Sequence, residues 1–261
     1  MFTELPFLKR FQAAASAGFS GVECMFPYGH DASVLAHARE DAGVQHVLIN
    51  APVGSTGATH WGYAALPGSD ADYERSLQHA VEYAQTLGCP RIHVMAGVTD
   101  GGSEAETRYI RRLQHAGSYA AEFGIDILIE PINTFDVPGY FLSDVPRALL
   151  MLEKIDHPHV KLQLDIYHVQ IMTGGLTRLI EMAAPVTGHV QIAAVPARDE
   201  PCEGEIHYPY IFTLLDAVGY NGWVGCEYRP KASTEVGLDW FEPYRRGTTG
   251  VMNERNSGGC R

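Results

Sequence analysis

The feature that most constrains the fold of this 261-residue chain is a regular alternation of short apolar runs with longer amphipathic segments. Short apolar runs bounded by turn residues favour buried strands, and an apolar period of 3.6 residues favours helices packed on a sheet. The predicted strands are 21–26, 44–50, 91–96, 125–130, 159–165, 188–193 and 222–228. The predicted helices are 6–17, 32–42, 70–87, 104–123, 144–155, 176–184 and 208–218. This alternation predicts a parallel sheet covered by helices.

The number of strands bears on which parallel architecture forms. A (β/α)8 TIM barrel takes about 250 residues and eight strands, which suits the length of this chain. The pattern supplies seven strands, since only residues 1–5 precede the first helix, and the first strand is therefore expected to be missing. An open doubly wound sheet is the alternative. We expect one domain over residues 1–247 and a disordered, polar tail over residues 248–261.

Charge and cysteine content restrict the classes of function. The chain has 19 Lys and Arg against 31 Asp and Glu, for a net charge of −12, which argues against a nucleic-acid partner. A small anionic substrate stays open, because one arginine can hold a carboxylate. The odd number of five cysteines, with no C-x-x-C pair, predicts free thiols in a reducing cytoplasm.

The sequence is less informative about targeting and assembly. The first residues carry no signal-peptide pattern, and no apolar stretch approaches the roughly 20 residues of a membrane helix. We therefore expect no membrane partner. A homo-oligomer remains open, since no decisive interface pattern stands out.

Four predicted strands carry an oxygen-bearing side chain near their carboxyl ends: Glu130, Asp165, Gln191 and Glu227. Each follows the last by about one strand–helix unit, so a barrel would bring all four to one rim, where such folds hold their active sites. Three carboxylates and one amide oxygen form a site suited to Mg²⁺ or Mn²⁺. For any one of them alone, a solvated strand end is an equally good interpretation.

These residues also carry a resemblance to a known family. Hydroxypyruvate isomerases are similar to this chain in five segments that follow in the same order: 130–139 (EPINTFDVPG), 164–168 (LDIYH), 188–193 (GHVQIA), 204–206 (GEI) and 222–228 (GWVGCEY). The similarity extends over residues 2–247 and implies a xylose-isomerase-like barrel. It also implies that Glu130, Asp165, Gln191 and Glu227 are metal ligands and that Glu130 and Glu227 form the acid–base pair. Related sugar epimerases usually carry histidine where this chain has Gln191.

Three further residues are candidates for binding the substrate. His168 and Arg198 lie at positions that resemble substrate-contacting residues of the wider family, and the planar guanidinium of Arg198 suits a carboxylate. His93 closes another predicted strand and is a candidate for the pocket wall. The alternatives are a structural histidine for His168, a surface arginine for Arg198 and a packed core histidine for His93.

The resemblance implies an isomerase that interconverts hydroxypyruvate and tartronate semialdehyde. A divalent cation would stabilise an enediolate intermediate, one carboxylate would remove the carbon-bound proton and the other would return it. We take Glu130 as the first base. The long polar loop at residues 196–205 is a candidate cover for the substrate, or an ordinary exposed loop.

Two groups of alternatives remain. The segment at residues 193–196 (AAVP) lacks the Asp-Asn-Pro form of some bacterial hydroxypyruvate isomerases, and residues 1–4, 93–98 and 206–209 resemble 2-oxo-tetronate isomerases. A four-carbon 2-oxo acid is therefore the second substrate candidate. From other classes, an endonuclease-IV-like phosphodiesterase needs many histidine ligands and a basic surface, and a non-catalytic binding protein would have no use for the two glutamates.

Overall fold

The computed structural model describes residues 1–245, which form a parallel β-sheet wrapped by helices. The strands are β1 (Gly21–Cys24), β2 (Gln45–Asn50), β3 (Arg91–His93), β4 (Asp126–Ile129), β5 (Val160–Asp165), β6 (Thr187–Ile192) and β7 (Val224–Cys226). Each strand pairs in parallel with the next, so their spatial order is their order in the sequence. A doubly wound sheet instead reverses its direction at an inner strand. The predicted seven-stranded TIM barrel is confirmed, and the doubly wound alternative is wrong.

The helices follow the predicted order, with one addition. They are α1 (Lys9–Ser16), α2 (Ala32–Ala42), α3 (Asp70–Leu87), α4 (Ser103–Ala121), α5 (Val145–Ile155), α6 (Ile166–Met172), α7 (Leu176–Ala183) and α8 (Tyr208–Ala217). Short 3-10 segments cover Gly57–Trp61, Ala184–Val186, Glu235–Gly237 and Asp239–Tyr244. Helix α6 was not predicted, because it starts directly after β5 with no turn residue between them. The carboxylate of Asp165 accepts a hydrogen bond from the Tyr167 amide at 2.9 Å and caps this helix.

Residues 1–5 form turns and no strand. This segment packs instead against the end of the described chain. The Phe2 amide donates to the Thr234 hydroxyl at 2.6 Å, and the Phe2 side chain joins Ala14 and Leu238 in a small apolar cluster. The predicted tail at residues 248–261 lies outside the described residues.

The two edge strands, β1 and β7, approach each other across the seam of the barrel. Both are half-buried along their whole length. A Cβ atom added to Gly225 of β7 would collide with the carboxylate of Glu23 on β1, and one added to Gly21 would lie 2.8 Å from the Trp223 ring. Glycine at position 225 therefore leaves room for an acidic side chain inside a nearly closed barrel.

The apolar core lies mainly between the sheet and the helices, where side chains such as Leu77, Ile92 and Leu113 are fully buried. A second, smaller cluster contains Leu48 and Leu128 with Trp223 packed against it. Leu128 is two residues before Glu130 and therefore shares its face of the sheet. The interior of the barrel therefore has an apolar layer at Leu128, beneath the polar side chains at the carboxyl ends of the strands. Among the helices of residues 1–245, none has the length and apolarity needed to cross a bilayer.

Candidate active site

The four predicted oxygen ligands lie at the carboxyl ends of four successive strands. Glu130 directly follows β4, Asp165 is the last residue of β5, Gln191 is in β6 and Glu227 directly follows β7. Asp165 pairs in register with Gln191, which in turn pairs with Gly225. Glu130, Asp165 and Gln191 are buried, while the Glu227 side chain is 25% exposed. All four therefore meet at one rim, as their spacing predicts.

The tightest group at this rim contains Glu130, Asp165 and His168. One ligand atom from each lies within 4.8 Å of the others, and all three residues are buried. The His168 Nε2 atom is 3.5 Å from Asp165 Oδ2 and 3.8 Å from Glu130 Oε1. His168 was expected to contact substrate, and the structure brings it within reach of the predicted ligands.

Arg198 links the carboxylates on the opposite side. Its Nη2 atom donates to Glu227 Oε2 at 2.8 Å and to Asp165 Oδ2 at 3.4 Å. Its guanidinium lies over the Tyr167 ring, 4.8 Å from the centroid. The Arg198 backbone is left-handed, with φ of 55°, and is held by bonds from its amide to the Ala194 carbonyl and from the Arg229 amide to its own carbonyl, both at 2.8 Å. The loop thus aims this side chain into the site.

Burial and mutual repulsion disfavour the charged forms of the three carboxylates. Burial, followed by the charges of Glu227 and Asp165, raises the pKa of Glu130 well above its ordinary value. Burial also raises the pKa of Asp165 to about 6 and that of Glu227 to about 7, although the Arg198 charge opposes both shifts. One arginine therefore offsets only part of the negative charge collected here.

The donor set fits a hard divalent cation. Glu130 Oε1 is buried and has no hydrogen-bond partner among the described residues, which leaves a desolvated carboxyl oxygen within the cluster. Such an atom is costly unless a cation or a donor meets it. Carboxylate oxygens are the ligands that Mg²⁺ and Mn²⁺ prefer.

The hydrogen bonds around His168 determine which of its ring nitrogens carries the proton. The Asn133 side-chain oxygen accepts from the amides of Phe135 at 3.0 Å and Asp136 at 2.8 Å, so its NH₂ group faces the other way. That NH₂ group lies 2.7 Å from His168 Nδ1, and the Asn133 backbone amide donates to the same nitrogen at 3.3 Å. Since Nδ1 accepts, the neutral ring carries its hydrogen on Nε2. Burial, followed by the Arg198 charge, lowers the pKa of His168 to about 3. The ring therefore presents a neutral N–H donor to the site.

His93 lies behind Glu130. It is 1% exposed, and its Nδ1 atom is 3.4 Å from Glu130 Oε2. Burial, followed by its neighbour His168, lowers the pKa of this histidine to about 3. The position suits the packed core histidine of the alternative interpretation and a contact that orients Glu130.

A family model described as the xylose isomerase-like TIM barrel matches residues 11–244. The chain belongs to this family. The resemblance read from the sequence is thereby confirmed, together with the barrel it implied.

The names of similar proteins in this family indicate the type of reaction. The 2-oxo-tetronate isomerase of Pectobacterium atrosepticum is 44% identical over 247 residues, which cover 94% of each chain. The hydroxypyruvate isomerase of Escherichia coli K12 is 41% identical, covering 94% of this chain and 96% of its own. A solved structure described as an AP endonuclease of family 2 from Brucella melitensis is 46% identical with a TM-score of 0.91, covering 94% and 96%. This xylose isomerase-like chain is an isomerase.

The barrel of this family member holds a second polar group that the sequence interpretation missed. Glu23 on β1 accepts from Gln191 Nε2 at 2.9 Å and lies 2.6 Å from His189 Nε2. Gln163 Nε2 donates to Gln191 Oε1 at 2.6 Å. Burial by itself would raise the pKa of Glu23, but the His189 charge and the hydrogen bonds from His189 and Gln191 lower it below its ordinary value.

One signal in the sequence pointed to Glu23. It is a single acidic residue within a predicted strand that is otherwise apolar or cysteine, GVECMF. A charged residue in such a run is rarely buried without a partner. Both partners lie on β6, 166 and 168 residues away in the chain, so its role was not readable from the local pattern.

Proposed function

We propose that the chain interconverts hydroxypyruvate and tartronate semialdehyde through an enediolate. The observation that carries the proposal is the pair of glutamates, Glu130 and Glu227, that lie on either side of Asp165 at one buried rim. The reaction moves a carbon-bound proton from C3 to C2 and a hydroxyl proton from the C3 oxygen to the C2 oxygen. Two carboxyl groups suffice for the carbon-bound transfer, since one accepts the proton and the other donates one.

A divalent cation, Mg²⁺ or Mn²⁺, belongs to this proposal, with Glu130, Asp165, Gln191 and Glu227 as its ligands. When bound, such an ion offsets the negative charge that develops on the substrate oxygens. The protein residues fit this requirement because two buried carboxylates and the partly exposed Glu227 share a single arginine. Burial, together with the neighbouring negative charges, raises the pKa values of Glu130, Asp165 and Glu227.

The remaining side chains orient the substrate. The His168 Nε2–H group donates to a substrate oxygen, because the Asn133 contacts leave it in that tautomer. Arg198 binds the substrate carboxylate by sharing or releasing its bonds to Glu227 and Asp165. The Tyr167 ring beneath the guanidinium keeps it near the rim. His93 contacts Glu130 Oε2 and helps to orient that carboxyl group.

A 2-oxo-tetronate is the second candidate substrate, because the relative from Pectobacterium atrosepticum with that name is 44% identical, against 41% for the hydroxypyruvate isomerase. Both substrates are short hydroxy-keto acids with the same reacting carbons. A phosphodiester substrate is disfavoured by the net charge of −12 and by the acidic rim. The proposal therefore places a small hydroxy-keto acid in the site, without a nucleic-acid partner, in the cytoplasm.

The test is proton NMR in D2O with purified protein and Mg²⁺, run in parallel on hydroxypyruvate and 2-oxo-tetronate. We expect loss of the C3 proton signal of hydroxypyruvate with deuterium incorporated into tartronate semialdehyde. Glu130→Gln should slow this by about 10²- to 10⁴-fold. Glu153→Gln changes an exposed helix glutamate in the same way and serves as the matched control.

Each outcome decides between the candidates. A faster turnover of 2-oxo-tetronate would replace hydroxypyruvate by the four-carbon acid within the same mechanism. Absence of exchange on both substrates from folded, Mg²⁺-supplied protein would overturn the proposed reaction.

A further inference from the structure

We infer that Glu23 is a positioning residue that holds the side-chain amide of Gln191 with its oxygen, rather than its nitrogen, available to a divalent cation. This inference rests on the proposed function. It concerns a residue that touches neither the reacting carbons nor the cation and that acts through Gln191.

The geometry begins with the two oxygens of Glu23, which have different partners inside the barrel. Oε1 accepts from Gln191 Nε2 at 2.9 Å, and Oε2 is 2.6 Å from His189 Nε2. His189 is fully buried, and its Nδ1 atom has no hydrogen-bond partner among the described residues. Glu23 is therefore the group that both β6 side chains share.

An ionised carboxylate can only accept hydrogen bonds, whereas a glutamine amide has one end that donates and one that accepts. The Glu23 carboxylate therefore requires the NH₂ end of Gln191 to face it. Because the amide is planar, Oε1 then points away from Glu23. Gln163 Nε2 donates to this oxygen at 2.6 Å, which uses one of its two lone pairs and leaves the other for a cation.

The strand across the seam makes this arrangement sterically possible. Gly225 pairs in register with Gln191, and any Cβ atom at position 225 would overlap the Glu23 carboxylate. A side chain there would push Glu23 away from Gln191. Four strands thus contribute to the orientation of one amide: β1 with the acceptor Glu23, β5 with the donor Gln163, β6 with the amide itself and β7 with the space at Gly225.

A neutral amide at position 23 would no longer require the NH₂ end of Gln191 to face it, while the size and shape of the side chain would stay the same. In Glu23→Gln, the new side chain both donates and accepts, so Gln191 can turn its NH₂ end toward the cation and lose its ligand atom. Residues that orient metal ligands typically contribute about 10- to 100-fold to metal affinity. The same loss is expected in Glu23→Asp, which keeps the charge but withdraws it by one methylene.

The experiment measures Mn²⁺ affinity by the EPR signal of free Mn²⁺, without substrate, in the parent, Glu23→Gln, Gln191→Leu and the double variant. We expect Glu23→Gln to weaken Mn²⁺ binding by about 10- to 100-fold. In the Gln191→Leu background the same change should have little further effect, because coupled residues are not additive. Thermal unfolding identifies any variant that does not fold, and Glu23→Asp then replaces Glu23→Gln.

The outcomes separate this inference from the proposed function. If the parent binds Mn²⁺ and Glu23→Gln binds it equally well, the role of Glu23 is overturned and the metal site stands. If Glu23→Gln weakens Mn²⁺ binding equally in the parent and in the Gln191→Leu background, the role is also overturned, because Glu23 would then act without the Gln191 amide. If the parent itself binds no Mn²⁺, both the metal site and the role of Glu23 fall.

Discussion

The two ends of the barrel differ in how completely their charged side chains are paired. At the amino ends of the strands, the Asp126 carboxylate meets both Lys161 Nζ at 2.7 Å and His159 Nδ1 at 2.9 Å. Arg91 reaches the Gly188 carbonyl at 2.9 Å. At the carboxyl ends, three carboxylates share Arg198, and Glu130 Oε1 has no partner among the described residues. One end is electrostatically satisfied, and the other holds an excess of negative charge.

The difference separates a structural role from a functional one. A pairing such as that of Asp126 gains stability from partners already present. The rim carries unfavourable repulsion that Arg198 relieves only in part, which is typical of sites that retain strain for function. Changes at the two ends should therefore affect different measurements.

The largest expected effect is the loss of activity in Glu227→Gln. The amide can neither accept nor return a carbon-bound proton, so kcat/KM for the isomerisation should fall by about 10²- to 10⁴-fold. Asp126→Asn, the same change at the opposite end, should leave kcat/KM within about twofold. A comparable loss in both variants would mean that the two ends are not functionally distinct.

Added Mg²⁺ should stabilise the protein through the rim. At a concentration of 100 times its Kd, a ligand specific for the folded state adds about 2.7 kcal/mol to the free energy of unfolding. Urea unfolding with and without MgCl₂, at matched ionic strength, measures this. The gain should persist in Asp126→Asn and shrink in Glu130→Gln. An equal gain in both variants would place the ion elsewhere.

Removal of Arg198 should impair substrate binding more than turnover. Arg198→Met keeps an unbranched side chain on the Tyr167 ring but removes the partner for a substrate carboxylate. A hydrogen bond to a charged group contributes about 1.5–3 kcal/mol, so KM should rise by roughly 10- to 100-fold. Steady-state kinetics on hydroxypyruvate measures this, and an unchanged KM would argue against the carboxylate contact.

The smallest expected effects concern stability. Asp126→Asn should lower the free energy of unfolding by about 1 kcal/mol or less, because its partners are partly exposed. Glu130→Gln should leave the unfolding free energy unchanged or raise it in the absence of divalent ions, since it removes a repelling charge. Urea unfolding of both variants in EDTA compares them directly. A larger loss in Glu130→Gln would show that this carboxylate is structurally required.

Much of this arrangement was predictable because it depends on local pattern. The spacing of Glu130, Asp165, Gln191 and Glu227 follows the strand–helix unit, and the barrel converts that spacing into proximity. Helix α6 was missed because its cap, Asp165, also ends a strand. Glu23 was missed because its role depends on partners in distant strands and on the small size of Gly225. Pairing across a barrel seam leaves no periodic mark in the sequence.

The left-handed backbone at Arg198 has a consequence for attempts to engineer this protein. Glycine adopts that conformation freely, and an arginine there costs of order 1–3 kcal/mol. A redesign guided by folding stability alone would therefore select glycine at position 198, and the variant would show a higher melting temperature. The same redesign would remove the side chain that faces Asp165 and Glu227. Screening of this loop should therefore be scored by turnover before it is scored by melting temperature.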